Sequence, residues 1–304
     1  IGAGMAGLEA ARTALRSGAR VMLVEERDWL GGRLGLEPAQ VDDRPATAWV
    51  AHVAEELGAA ERASVLTRTS AFGLYDHGMV GLVETLRPQS EQGLARQRYW
   101  KVRARQIVFA TGALEQPLAF AGNDLPGVML SGAVRGYVHR YGVAAGRRVL
   151  VAANEGSGVE TALQLCDAGV EVAGVVDSRP DNQCKPATAL DERGIPYYPG
   201  HALVRAFGWQ QVRGARIAPL GNEGPMPAGL QTIRCDAIAV AGGWQPALHL
   251  QCHLGGRPPF DPERGIFIPP SLPDGHHHAG ACAGVAAADA VRQSGRRAGA
   301  ASKK

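Results

Sequence analysis

The sequence has no Cys-x-x-Cys pair, and its five cysteines (Cys166, Cys184, Cys235, Cys252 and Cys282) are scattered. That spacing excludes dithiol exchange and paired zinc ligands, and an odd, unclustered set fits reduced thiols in the cytoplasm. Aromatic residues are only 6% of the chain, and 32 basic residues against 29 acidic ones leave a net charge of +3 with no basic block. The electrostatic footprint of a nucleic-acid binder is therefore missing. No apolar run reaches the length of a membrane span, and no signal peptide is visible. Neither a nucleic-acid nor a membrane partner is expected. The chain also opens without a methionine and without the strand that should lead into its first motif. That strand's absence would cost the first sheet a central member.

What is present is ordinary for a globular protein: 304 residues, 45% apolar, with 40 glycines and 19 prolines punctuating apolar runs. The first stretch, "IGAGMAGLEAAR", carries Gly2, Gly4 and Gly7 as a G-x-G-x-x-G motif, with Met5 and Ala6 in the first helical turn. In such a motif the first glycine allows a tight turn and the second lets backbone approach a diphosphate. The third lets the helix pack closely on the strand. The helix N-terminus then offers free amides and a positive dipole end. "ARVMLVEE" reads as the next buried strand, ending on Glu25 and Glu26. An acid there can take both hydroxyls of an adenosine ribose and disfavours a 2′-phosphate, so NADP is not expected. Gly31-Gly32-Arg33 and, much later, Ala110-Thr111-Gly112 follow in the order of flavoproteins with two dinucleotide-binding domains. Those proteins close the flavin site with a Gly-Asp pair. The corresponding stretch here, Ala279 to Gly284, has no acid, which tilts the first site from FAD toward NAD.

The pattern restarts at Arg147. "RRVLVAAN", a helix from Ser157 to Ala168 and "VEVAGVVD" form a second βαβ unit. The expected fold is α/β: two nested three-layer dinucleotide-binding domains, Rossmann-like and of the FAD/NAD(P)-binding type. Residues 1–145 with 236–304 would form the first, discontinuous domain, and 146–235 the insert. In the insert Ala153 and Glu155 replace the first two glycines, leaving Gly158 as the third. A carboxylate about 4 Å from a phosphate charge, at an effective dielectric near 20, costs roughly 4 kcal/mol. The second site is therefore expected to be disabled, with Asp177 kept only as a strand-end residue.

Three further stretches are more specific than the glycine motif: "YWKVRARQIVFATGALEQPLAFAGNDLPGVMLSGAVRGYVHRYGVAAGRRVLV", "TSAFGLYDHG" and "AVAGGWQPALHL". With them the chain resembles, over essentially its whole length, the α subunit of bacterial heterotetrameric sarcosine oxidase. The resemblance implies a soluble enzyme of α, β, γ and δ subunits. It oxidatively demethylates sarcosine to glycine, passes the one-carbon unit to tetrahydrofolate and reduces oxygen to hydrogen peroxide. It also implies a structural NAD in the α chain, with flavin in β and, as FMN, at the α/β boundary. Gly2, Gly4, Gly7 and Glu25 match the family's dinucleotide pocket; Gly32, Arg33, Thr111 and Gly112 fit it, and Thr69 would border the adenine. That family's N-terminal extension and C-terminal folate-binding domain are not in the sequence, so the middle of a larger, cytoplasmic subunit is expected, inactive alone. An FAD-dependent amine or amino-acid oxidoreductase subunit of the opine oxidase or cyanide synthase kind is the alternative. No catalytic residue stands out. His276-His277-His278 is expected as a solvated loop rather than a metal site, Ser157 as a helix N-cap, and Trp209 as a packing group.

Overall fold

The computed structural model describes residues 1–86, 96–180, 187–222, 224–226 and 228–302. The chain divides into two compact units, Ile1–Leu114 with Gln245–Lys304, and Glu115–Trp244.

In the first unit the helix Met5–Arg16 follows directly on the glycine turn, and buries Leu8 and Ala11 in one cluster and Ala6 in another on its far side. Two parallel pairs flank it: Val21–Val24 with Ala63–Leu66, and Ile107–Phe109 with His276–His278. Ile1–Gly2 threads between the pairs. The Ala110 amide donates to the Ile1 carbonyl, and the Gly2 amide to that of Val24, both at 2.8 Å. Among the described residues no strand stands between the two pairs, which are separate two-stranded sheets joined only through these bonds of Ile1 and Gly2. Leu8, Leu23, Trp49, Val53 and Leu57 form the core under the helices Met5–Arg16 and Ala46–Gly58. A three-stranded antiparallel sheet, Thr69–Tyr75, Met79–Thr85 and Gln97–Arg103, packs Leu74, Val80 and Leu82 with Phe109.

The second unit has three layers. Its central sheet is wholly parallel, in the order Val128–Leu130, Ala237–Ala241, Arg148–Ala153, Glu171–Asp177, Tyr197–Pro199. Alternate residues of a strand point to opposite faces. Accordingly, Val149 and Val151 meet the helices Ser131–Tyr141 and Ser157–Asp167 through Val134, Val159 and Leu165. Leu150 and Ala152 meet an antiparallel sheet through Leu203, Ala206 and Ile217. The domain boundaries expected at 145/146 and 235/236 are corrected by this sheet. Val128–Leu130 and Ala237–Ala241 pair within it, so residues 115–145 and 236–244 belong to the second unit.

Three local expectations are corrected as well. His276–His278 is a half-buried strand in register with Ile107–Phe109, because its backbone completes a sheet edge. Gly156 holds the N-cap position, and Ser157 is the first helical residue. Trp209 is 90% exposed, because it sits on the turn between His201–Gly208 and Val212–Gly221.

This packing can be tested at two places. A Cβ on Gly7 would lie 1.9 Å from the Gly2 carbonyl oxygen, backbone against backbone, whereas one on Gly4 meets nothing within 4 Å. Gly7→Ala should cost about 3 kcal/mol or more and Gly4→Ala no more than about 1 kcal/mol, read by urea unfolding. The second test concerns acid. Burial holds His278 below the ordinary imidazole value of 6.5; the bond to the Pro270 carbonyl opposes this and His277 adds to it. His277 is lowered too, by burial and then by His276. Because the folded state favours the neutral rings, their contribution is complete above pH 6.5 and lost as pH falls below it. The urea midpoint should therefore drop on acidification below that point, and His278→Gln should flatten the slope.

Candidate functional site

The first unit builds its site from three turns that meet at the start of one helix. Gly2 has φ +93°, a conformation L side chains rarely adopt, and a Cβ there would lie 2.3 Å from the Ala110 carbonyl oxygen. Gly4 is the N-cap of Met5–Arg16, and among the described residues no side chain caps that helix. The open space around the Gly4 Cα and the uncapped N-terminus form a cradle of the kind that receives a diphosphate. Met5 and Ala6 lie in its first turn, with Ala6 buried.

Two other turns close on this one. The Gly31 amide donates to the Ala3 carbonyl at 2.8 Å, and Gly31 bridges Gly4. Gly31 and Gly32 have φ +106° and +56°, and a Cβ on Gly32 would sit 3.0 Å from the Gly4 Cα. These glycines are required by the close approach of two backbones. Glu25 is 6% exposed; its Oε2 accepts the Ala3 amide at 2.8 Å and its Oε1 the Arg27 amide at 3.0 Å. The strand-end acid is thereby locked against the glycine turn. Its oxygens keep further acceptor capacity for ribose hydroxyls. The residues present fit a dinucleotide: amides at the start of the helix for the diphosphate and Glu25 for the ribose.

The remaining predicted residues are less uniform. Glu26 is exposed. Arg33, in the short helical turn Gly32–Gly35, forms an ion pair with Glu37 just beyond it at 2.8 Å. Thr69 is 1% exposed, and its hydroxyl donates to the Thr67 carbonyl at 2.9 Å. Its amide donates to the Glu25 carbonyl, so Thr69 borders the strand-end acid through its backbone. Ala110 is buried against the Gly2 turn. The Thr111 hydroxyl donates to the Ala247 carbonyl at 2.8 Å, and Gly112, at φ +75°, accepts the Ala247 amide.

Sequence reasoning missed the support behind the cradle. Gly280, φ +74°, lies against Ala6, and its amide donates to the Ser294 hydroxyl. Gly295 and Gly299 bring the helix Ala288–Ala301 into backbone contact with Met5–Arg16; a Cβ on either would lie within 2.4 Å of a carbonyl oxygen of Ala6 or Ala10. The four-residue spacing of these glycines was the available signal.

The second unit arranges the same elements differently. Gly158 keeps the close-packing role, since a Cβ there would meet the Ala153 Cβ at 2.3 Å. Ahead of it, the Glu155 carboxylate accepts the Ser157 amide at 3.2 Å and the Ser157 hydroxyl. An anion of the chain itself thus occupies the helix N-terminus, where it is favoured by the dipole. Asp177 is fully buried, and Arg179 holds it through Nε at 3.0 Å and Nη2 at 2.7 Å. The helix Ser131–Tyr141 is treated likewise: Glu115 accepts the Gly132 amide at 2.8 Å and the Ser131 hydroxyl. That cap joins residues too far apart to read as a local motif.

The thiols are buried or isolated. Burial pushes the Cys235 thiol up to about 12. Cys282 is fully buried and donates to the Phe109 carbonyl at 2.9 Å. Cys184 lies outside the described residues. His276 and His278 both pack on Phe109, while His277 bonds Gln106 at 2.8 Å, so the three rings do not converge.

Comparison with known proteins matches this geometry. The chain is 38% identical over 287 residues to the sarcosine oxidase alpha subunit of Rhizobium meliloti, covering 93% of this chain and 28% of that protein. It is 28% identical to an opine oxidase subunit of Agrobacterium tumefaciens, covering 97% of this chain and 63% of that protein. The chain thus spans less than a third of the length of the sarcosine oxidase chain it matches. Thioredoxin reductase of T. acidophilum has the same fold at a TM-score of 0.71 and 19% identity, covering 100% of this chain and 94% of the other. The Pyridine nucleotide-disulphide oxidoreductase model matches residues 1–256. With two dinucleotide-type units and the glycine cradle in the first, the chain belongs to the pyridine nucleotide-disulphide oxidoreductase family.

Proposed function

We propose that the chain is the dinucleotide-binding part of the α subunit of a sarcosine oxidase-like complex, working with β, γ and δ subunits in the cytoplasm. The complex would oxidatively demethylate sarcosine to glycine, with tetrahydrofolate taking the one-carbon unit and oxygen reduced to hydrogen peroxide. Within it the first unit holds NAD as a structural group, and flavin chemistry belongs elsewhere, in β and, as FMN, at the α/β boundary. No residue of this chain is assigned a catalytic role.

One observation carries the reading: the two units treat the start of the nucleotide helix in opposite ways. At Gly4 the helix is uncapped and open. In the other unit the Glu155 carboxylate already accepts the amide and hydroxyl of Ser157, the first helical residue, and Arg179 engages Asp177. A reductase that passes hydride from a nicotinamide to a flavin needs two working sites. One open site and one self-capped site support a bound dinucleotide that does not exchange. The burial of Cys235 and Cys282 argues in the same direction, since the thiolate is the form that reacts in disulfide exchange.

The choice of NAD over FAD rests on the closing turn, Gly280–Ala283, where Ala281 supplies a methyl group and no carboxylate for a ribityl chain. The similarity to the opine oxidase subunit favours the alternative, an FAD-dependent amine or amino-acid oxidoreductase.

Mass spectrometry of the nucleotide released from the purified full-length protein, with its visible absorbance, separates the two. NAD at one equivalent, lost in Gly4→Leu and retained in Glu155→Gly, is the expected outcome. Flavin lost in Gly4→Leu would assign the first site to FAD and overturn the structural-NAD reading. Nucleotide lost only when Glu155 is exchanged would overturn the assignment of the site.

A further inference from the structure

Beside the contact of helices Met5–Arg16 and Ala288–Ala301 runs a groove of about 550 Å³ in the first unit. Arg12 and Arg16 line it from one helix, and Arg296 and Arg297 from the other. Arg12 and Arg16, one four-residue step apart, follow each other about 6 Å along the first helix, and the adjacent Arg296 and Arg297 face them from the second.

At its floor Glu9 is 1% exposed. Arg292 bonds it at 3.2 Å and Arg296 at 3.3 Å, and Arg12 lies 3.8 Å away. Three cations thus share one buried carboxylate. Other acids draw off part of the charge: Asp42 takes Arg292 at 2.7 Å, and Glu56 takes Arg16 through two bonds at 2.7 and 3.0 Å. Arg297 is exposed and has no ion pair among the described residues. Cations therefore outnumber carboxylates in the groove; Glu9 and Glu56 hold Arg296 and Arg16 in place, while Arg297 keeps its charge unpaired among the described residues.

We propose that this groove docks an acidic polypeptide segment of a partner subunit, whose carboxylates pair with Arg297, Arg296 and Arg16. The guanidinium fork matches a carboxylate bidentately, and arginine is enriched where proteins meet. An open groove with arginines presented from two helices suits several carboxylates on an extended or helical segment. A compact phosphate would need donors converging on one point. The proposal rests on the reading of the chain as part of a complex, and its test is independent of cofactor content.

The test uses the full-length protein with a fluorescein-labelled oligoglutamate peptide, and a glycine-serine peptide as control, followed by fluorescence anisotropy. Saturable binding of oligoglutamate is expected at low salt, falling steeply as ionic strength rises. Arg297→Glu, at an exposed position without an ion pair, should weaken binding about tenfold or more, equivalent to about 1.4 kcal/mol. Arg297→Lys should retain most of it. Equal binding of the control peptide, or unchanged affinity in Arg297→Glu, would overturn the proposal. So would displacement of the peptide by an equal concentration of inorganic pyrophosphate, which would mark a compact anion site. Nucleotide content measured on the same samples should not change, which keeps a failure here separate from a failure of the NAD reading.

Discussion

The first unit depends on one contact between backbones, the approach of Gly7 to the Gly2 carbonyl. No side chain fits between them, because even a methyl group would stand 1.9 Å from that oxygen. The contact seats the first helix directly on Ile1–Gly2, and the rest of the site is assembled around it. Glu25 can reach the Ala3 amide, Gly31 can hydrogen-bond Ala3, and Gly32 can sit on Gly4, because the turn is this compact. Gly158 against Ala153 repeats the contact in the second unit. The scaffold is therefore shared, and the difference between the two units lies in what each places ahead of the helix.

That difference is electrostatic. A helix start leaves amides without intrahelical partners, and something must satisfy them. The second unit uses its own carboxylates, Glu155 for one helix and Glu115 for another. Caps of this kind are each worth on the order of 1 kcal/mol. Stability gained that way is closed to a ligand, since a diphosphate would have to displace an anion already bonded there. The first unit leaves the corresponding amides without a side-chain cap, which is the condition for binding something from outside. In the same way Asp177, the counterpart of Glu25, is engaged by a guanidinium, whereas Glu25 accepts the main-chain amides of Ala3 and Arg27.

How much of this was legible in the sequence follows from how local each feature is. Gly2, Gly4, Gly7 and Glu25 lie within one βαβ stretch, and their roles follow from spacing. The replacement of glycines by Ala153 and Glu155 is readable for the same reason. The division of the chain at 114/115 and 244/245 was not, because it depends on Val128–Leu130 pairing with Ala237–Ala241 across a long separation. Glu115 as a cap, and the strand conformation of His276–His278, are likewise set by distant partners. Thr69 illustrates a mixed case. It was singled out only through the family resemblance, as bordering the adenine, and nothing in the spacing announced its amide on the Glu25 carbonyl or its hydroxyl on Thr67. Trp209 shows how little residue type alone says about burial, since its place on a turn leaves the indole in solvent.

The seating of Ala288–Ala301 on Met5–Arg16 has a temporal consequence. The helix that bears the glycine cradle leaves the ribosome before the surface it buries against, which, through Gly295 and Gly299, emerges hundreds of residues later. Contacts of such long sequence separation form slowly, and the waiting segment keeps apolar and small-residue surface exposed while translation proceeds. The second unit, whose sheet and helices are contiguous in sequence, can complete itself in the interval. The nascent chain would thus contain a finished insert within an unfinished host, and the glycine-bearing helix would be among the last parts of the two units to become protected.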